Sequence, residues 1–288
     1  MNCLAAATRD LSTLEDRNAV DNVGMLGRVT LTATSGPGSF PVTKGIIDQL
    51  DLWVGELAAP LLPAVQVKSE RSFRWRFRDE TPYVLLVAKA VRIASGIRAS
   101  MLLAEIGFVQ EAASLLRIVS DFATEAFAVA EGEVRGRRTT AQKEFVSQFF
   151  ERKLLKNEPG AKTRYVGRED LMKAHVRLGD DAGIDGEVTR DLKRALNDIY
   201  DGYVHGAYST AMELYHGGRH EFMLRGHESI ERRRVVQTAI SGKLQEVVQV
   251  FGLIALVAGN TSLHTATHEA VRDLEASGEQ DLPEEGGG

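Results

Sequence analysis

The side chains of this sequence best placed to do chemistry lie in one tract, NDIYDGYVHGAYSTAMELYHG (197–217). At about 100° per residue, Arg194, Asp198, Asp201 and His205 share one face of a helix. Val188, Leu192, Ala195, Leu196, Ile199 and Tyr203 take the opposite, core-seeking face. Asp201 and His205, at i and i+4, can pair, which fixes the imidazole tautomer and raises its pKa. With Tyr208 close by, such a group suits acid–base work, so His205, Asp201 and Tyr208 are the candidate catalytic residues. The competing reading is a polar helix face carrying an incidental histidine. Gly202 and Gly206 bear on both readings, because each disfavours helix and each admits another backbone closely.

Two further groups have a chemical reading. Arg117 and Asp121 stand at i and i+4 on a second helix, with Glu125 continuing the stripe, and form a charged wall facing a cleft or partner. Read blandly, they are a solvated ion pair worth tenths of a kcal/mol. The segment RSFRWRFRDE (71–80), if extended, puts Phe73, Trp75 and Phe77 on one side and Arg74, Arg76 and Arg78 on the other. Aromatic stacking combined with guanidinium groups is how single-stranded nucleic acid is held, so Arg74, Trp75, Arg76 and Arg78 are candidate nucleic-acid contacts. The alternative is that these aromatics plug the core ahead of the following helix.

Other chemistries find little support. Cys3 is the one cysteine, which rules out an intramolecular disulfide and a cysteine metal site. Glu213 and His216 have E-x-x-H spacing without a second such motif, and His264 and His268 stand at i and i+4 without a clear third ligand. H-E-x-x-H, the phosphate-binding P-loop and G-x-G-x-x-G are all missing, so no metal and no cofactor is expected. A net charge of −5 gives no global basic field to draw the chain to nucleic acid or membrane. The apolar run VFGLIALVA (250–258) would span about 14 Å as helix against a hydrocarbon core of about 30 Å, so no membrane span is expected. The N-terminus lacks a basic stretch followed by a long apolar one, and a cytoplasmic protein is expected.

The elements that must position these residues are helical. Apolar residues recur at three- and four-residue spacing over 42–59, from Thr81 and Pro82 onward, over 108–131, from Thr139, over 168–178, over 187–216 and over 228–259. Pro60 and Pro63 close the first, and Thr81 with Pro82 is a strong start for the second. HGGRHEFMLRGH (216–227) is a loop or short hairpin. The expectation is an all-α bundle of six to eight helices over 42–270. A flexible annex at 1–41 ends in the linker TSGPGSFP, and 271–288 is a disordered acidic, glycine-rich tail.

The stretches AEIGFVQEAASLLRIVSDFATEA (104–126) and YDGYVHGAYSTAMELY (200–215) together resemble bacterial all-helical proteins in which an E-A-x-x-L-L-R helix packs near a Tyr/His helix. These are similar to the HEPN superfamily of nucleotide-binding bundles, and the resemblance covers roughly 80–260. It implies a protein that binds or acts on RNA, other nucleic acid or nucleotide, in stress or phage defence. Many members are metal-independent ribonucleases with an Arg, four to six residues, then a His. His205 departs from that pattern, since Asp198, Ile199 and Tyr200 stand where the Arg would be. Arg168 and His175 do fit it. The other class open to the chain is a non-enzymatic scaffold forming a homodimer through a helix face, which requires an exposed apolar patch.

Overall fold

The computed structural model describes residues 40–69, 72–150, 166–181 and 186–279. These residues are 74% helical. Helix α1 (Pro41–Ala58) leads into a hairpin, β1 (Val65–Ser69) and β2 (Ser72–Arg76), followed by α2 (Pro82–Glu105), α3 (Val109–Val134) and α4 (Thr140–Phe150). Then come α5 (Arg168–Asp181), α6 (Gly186–Val204), the short α7 (Tyr208–Met212) and a second hairpin, β3 (Tyr215–His216) with β4 (Glu221–Phe222). Helices α8 (Ile230–Val257) and α9 (Thr261–Ser277) are the last elements among the described residues. The architecture is the expected all-α bundle.

Local chemistry sets the helix starts. Pro82 opens α2, and the Thr81 hydroxyl accepts from the Val84 amide at 3.3 Å. At α4 the Gln142 amide donates to the Thr139 hydroxyl (3.2 Å) while the Thr139 amide donates back to Gln142 Oε1 (2.7 Å), a reciprocal capping box. Gln142 is itself buried, and its amide group also donates to the Ala128 carbonyl at 2.5 Å, tying α4 to α3.

Helix α3 is the centre of the bundle, packed against α2, α8, α6 and α5. Every residue from Ala126 to Gly132 is buried, which its run of alanines allows by letting neighbours close in on all sides. Leu85, Leu86, Ile93, Ile97, Leu116, Phe127, Ile240, Leu244, Phe251 and Ile254 fill the space between α2, α3 and α8. Each contributes roughly 1.5–3 kcal/mol of burial. Among the described residues only α8 is long and apolar enough to cross a membrane, and 67% of its most apolar stretch is buried in the bundle.

The expected domain limits move at both ends. The annex expected at 1–41 lies outside the described residues up to residue 39, but Phe40 belongs to the core and Pro41 begins α1. The tail expected from 271 starts too early, because α9 runs on to Ser277 and Leu274 is fully buried. Beyond it, Glu279 accepts from the Val42 and Thr43 amides at 3.1 and 2.9 Å and from the Thr43 hydroxyl at 2.7 Å. A carboxylate there satisfies the unpaired amides of the α1 N-terminus and complements its dipole.

The long helical segment expected at 187–216 also divides. Helix α6 stops at Val204, Gly206 takes a positive φ of 62°, and the Ala207 amide bonds back to the Gly202 carbonyl at 2.9 Å. That is a glycine C-cap of the Schellman type. Gly202 faces Thr210 of α7, whose hydroxyl donates to the Gly202 carbonyl at 3.1 Å. The two glycines therefore build a corner.

Candidate functional site

The two charged groups read separately from the sequence meet at the junction of α3 and α6. Arg117 of α3 places Nε 2.5 Å from Oδ1 of Asp201 on α6, and its other arm pairs with Asp121 one turn on. Its side chain is only 13% exposed. Burial alone would lower the pKa of this guanidinium, but Asp121 and Asp201 outweigh it and raise the pKa above the ordinary value. The charged wall is thus a clamp holding α6 on the bundle.

That clamp removes Asp201 from the partnership expected with His205. With α6 ending at Val204, His205 lies in the capping turn, where its backbone amide closes the last helical bond to Asp201 at 3.0 Å. Its ring is exposed and makes no hydrogen bond among the described residues. Tyr208 opens α7 on the far side of the turn. Arg194, from the same expected stripe, reaches Glu169 of α5 at 3.0 Å.

Beside this corner the structure forms a cleft of about 220 Å³, lined by Val109, Tyr203, Glu213, Arg232, Val235 and Val236. The Tyr203 hydroxyl donates to the Glu213 carboxylate, 3.3 and 3.4 Å from its two oxygens, and Arg232 stands 3.7 Å from that carboxylate. Burial, then Glu213, raises the Tyr203 phenol above its ordinary value, so it stays a proton donor. The sequence pattern places Tyr203 on the core face and Glu213 in an E-x-x-H pair with His216. In the structure His216 Nδ1 instead accepts from the Arg219 amide at 3.1 Å within the β3–β4 turn. The signal for the cleft was the break at Gly206, which lets 208–216 fold back across Tyr203.

His227, close to Arg232 and Arg233, is buried. Its Nδ1 accepts from the Ser229 amide at 3.1 Å, and its backbone amide donates to the Gly107 carbonyl at 2.6 Å. Gly107 needs its positive φ of 90°, and a Cβ there would sit 2.6 Å from the His227 carbonyl oxygen. Burial, with Arg232 and Arg233 adding repulsion, lowers the His227 pKa.

The 71–80 segment lies elsewhere. Its residues 72–76 are extended as β2, as the nucleic-acid reading requires, with Trp75 in register with Gln66, Arg74 with Val67 and Arg76 with Val65. Trp75 is 72% exposed and does not plug the core. Arg76 pairs with Glu80, and Arg78 is exposed. This hairpin precedes the N-terminus of α2, whereas the cleft adjoins its C-terminus, where Gln110 donates to the Thr210 carbonyl. The 24 residues of α2 span about 36 Å, so the aromatic–arginine group and the His205 corner are not brought together.

His175, which with Arg168 fits the ribonuclease spacing, is 6% exposed and stacks on Phe127 with ring centroids 3.8 Å apart. Its neighbour Arg177 donates to Glu131 at 3.0 and 2.8 Å, a buried carboxylate that also receives Arg135 and Gln142. That cluster joins α3, α4 and α5, with Glu131 buried and Arg135 and Arg177 reaching the surface. No group of three His, Cys, Asp or Glu among the described residues is placed to hold a metal ion.

The class these observations define is an all-α bundle with a cleft of mixed polar and apolar lining at one end and a β-hairpin arm at the other. No family model, curated protein or solved structure matches the chain.

Proposed function

We propose that this chain is a HEPN-like helical protein, cytoplasmic and acting in stress or phage defence, that binds RNA or nucleotide at the α3–α6–α8 end. The observation that carries this reading is the contact of Arg117 with Asp201. It joins the E-A-x-x-L-L-R helix to the Tyr/His helix, the pairing the resemblance implies. One turn on from Asp201, His205 is exposed beside a cleft whose walls supply a phenol, a carboxylate, a guanidinium and three valines. These groups suit a base and its phosphate. Burial of His175 argues for binding rather than Arg–His ribonuclease chemistry.

A second reading has its own observation. Large apolar side chains are exposed around the same end, with Leu224 77%, Ile230 74% and Ile106 60% accessible. The close approach of Gly226 to the Ile106 carbonyl brings the 223–230 loop beside Ile106. A non-enzymatic scaffold that forms a homodimer through this surface fits that patch.

Fluorescence anisotropy with a labelled single-stranded RNA and with nucleotides tests the first reading. Wild type should bind, and His205→Ala and Arg232→Ala should weaken binding while Trp75→Ala leaves it unchanged. Loss on Trp75→Ala alone, of the order of 5- to 150-fold for one stacked base, would move binding to the hairpin arm. No binding, together with a dimer that dissociates on Leu224→Ser, would establish the scaffold reading instead.

A further inference from the structure

Away from the cleft, His264 and His268 lie on successive turns of α9, with their Nε2 atoms 3.2 Å apart and their rings perpendicular, centroids at 4.5 Å. We propose that this pair is a bidentate site for a late first-row divalent cation such as Cu²⁺ or Zn²⁺, with water completing the coordination sphere.

The geometry is the first support. A metal about 2.05 Å from both nitrogens, with the nitrogens at the observed spacing, would subtend an angle of about 100°. That lies between square-planar and tetrahedral values, so the spacing of the two nitrogens suits one metal ion. Two histidines four residues apart on one helical face are the arrangement that supplies two imidazole ligands in helical zinc sites.

The tautomer is the second support. His264 Nδ1 lies 3.2 Å from the Gly252 carbonyl of α8. A carbonyl only accepts, so Nδ1 carries the proton and His264 Nε2 accepts from Nε2–H of His268; a metal displaces that proton, and His268 then ligates as its Nδ1–H tautomer. A backbone carbonyl on the second ring nitrogen is the usual outer partner of a metal-bound histidine. The contact is built into the fold, because a Cβ at Gly252 would sit 2.7 Å from Thr267 Oγ1 and 3.5 Å from His264 Nδ1. Glycine lets α9 come close enough to α8 to seat the ring.

Charge sets the strength. Arg272 lies one turn on from His268 in α9 and repels a cation. Glu56 of α1 is engaged by Nδ2 of Asn260, the residue that caps α9, at 3.3 Å. The site therefore rests on two protein nitrogens, and only metals with high nitrogen affinity should occupy it.

The competing histidines are His216 and His220 in the β3–β4 turn, so the test uses the full chain carrying His216→Gln and His220→Gln. Titrated with Cu²⁺, this background should bind one equivalent, and its electron paramagnetic resonance spectrum should show coupling to two imidazole nitrogens. Adding His264→Gln or His268→Gln should weaken binding about tenfold or more, since even outer partners of a ligand are worth about 10- to 100-fold. Zn²⁺ should compete for the same site. Retained affinity in either variant, or the absence of a one-equivalent site in the background, overturns the proposal. Should a variant fail to fold, the background spectrum decides, and one coupled nitrogen or none is the overturning result.

Discussion

Arg117 and Asp201, 84 residues apart in the chain, lie with Nε and Oδ1 at 2.5 Å, and Arg117 is at the same time paired with Asp121. One cation thus bridges two carboxylates at the seam between α3 and α6. Arg117→Ala leaves Asp121 and Asp201 facing each other and should cost about 1–3 kcal/mol in urea unfolding. Asp201→Asn should cost less, about 1 kcal/mol or under, because Asp121 still holds the guanidinium and Asp201 is partly exposed. Equal costs for the two changes would show that the seam does not depend on this shared cation.

His205 separates stability from binding. Its ring is exposed in the α6 capping turn and makes no hydrogen bond among the described residues, so His205→Ala should change stability by no more than about 0.5 kcal/mol. Under the proposed function the same variant should bind RNA or nucleotide more weakly. Unfolding and anisotropy measured on one preparation settle the matter, and a well-folded variant with wild-type binding removes His205 from the site.

The bundle was legible because its signals are local. Thr81 and Pro82, Thr139 and Gln142, and the apolar spacing of α3 and α8 each mark an element within one or two turns of chain. The site was legible only as separate stripes. Nothing in the vicinity of Arg117 indicates that its partner is Asp201, and the i,i+4 rule offered His205 as the partner of Asp201 instead. That rule assumed the helix continued. Gly206, which disfavours helix and admits another backbone closely, is the residue that ends it. Glu279 was misassigned for a related reason: an acidic, glycine-rich stretch reads as a solvated tail, and the α1 N-terminus it caps is over two hundred residues away.

That cap gives a direct test of where the fold ends. Glu279 accepts from two amides and a hydroxyl at the start of α1. Glu279→Ala should cost about 0.5–2 kcal/mol, the range for loss of a helix cap. Ending the chain after Ala270 should cost more, because it also removes Leu274 from the core at about 2–5 kcal/mol. Thermal melts of the two variants should rank in that order, and a wild-type midpoint for the 270 truncation would restore the earlier boundary.

Acid should weaken the fold through two histidines. His227 is held below the ordinary histidine value by burial and then by Arg232 and Arg233, and His268 by burial and then by His264 and Arg272. In the unfolded chain both titrate near ~6.5. Between that value and the lower folded values the unfolded state binds more protons, so stability rises with pH across the window. The contribution is whole above about pH 6.5 and is lost as the pH falls from there through the folded pKa values. At His227 the cause is visible, since protonating Nδ1 destroys the acceptor for the Ser229 amide. Chemical denaturation from pH 8 to pH 5, without added metal, should show stability falling below about pH 6.5. The double variant His227→Asn, His268→Asn should lose part of that slope while remaining folded at pH 8. Identical slopes in wild type and double variant would mean that other groups govern the acid response.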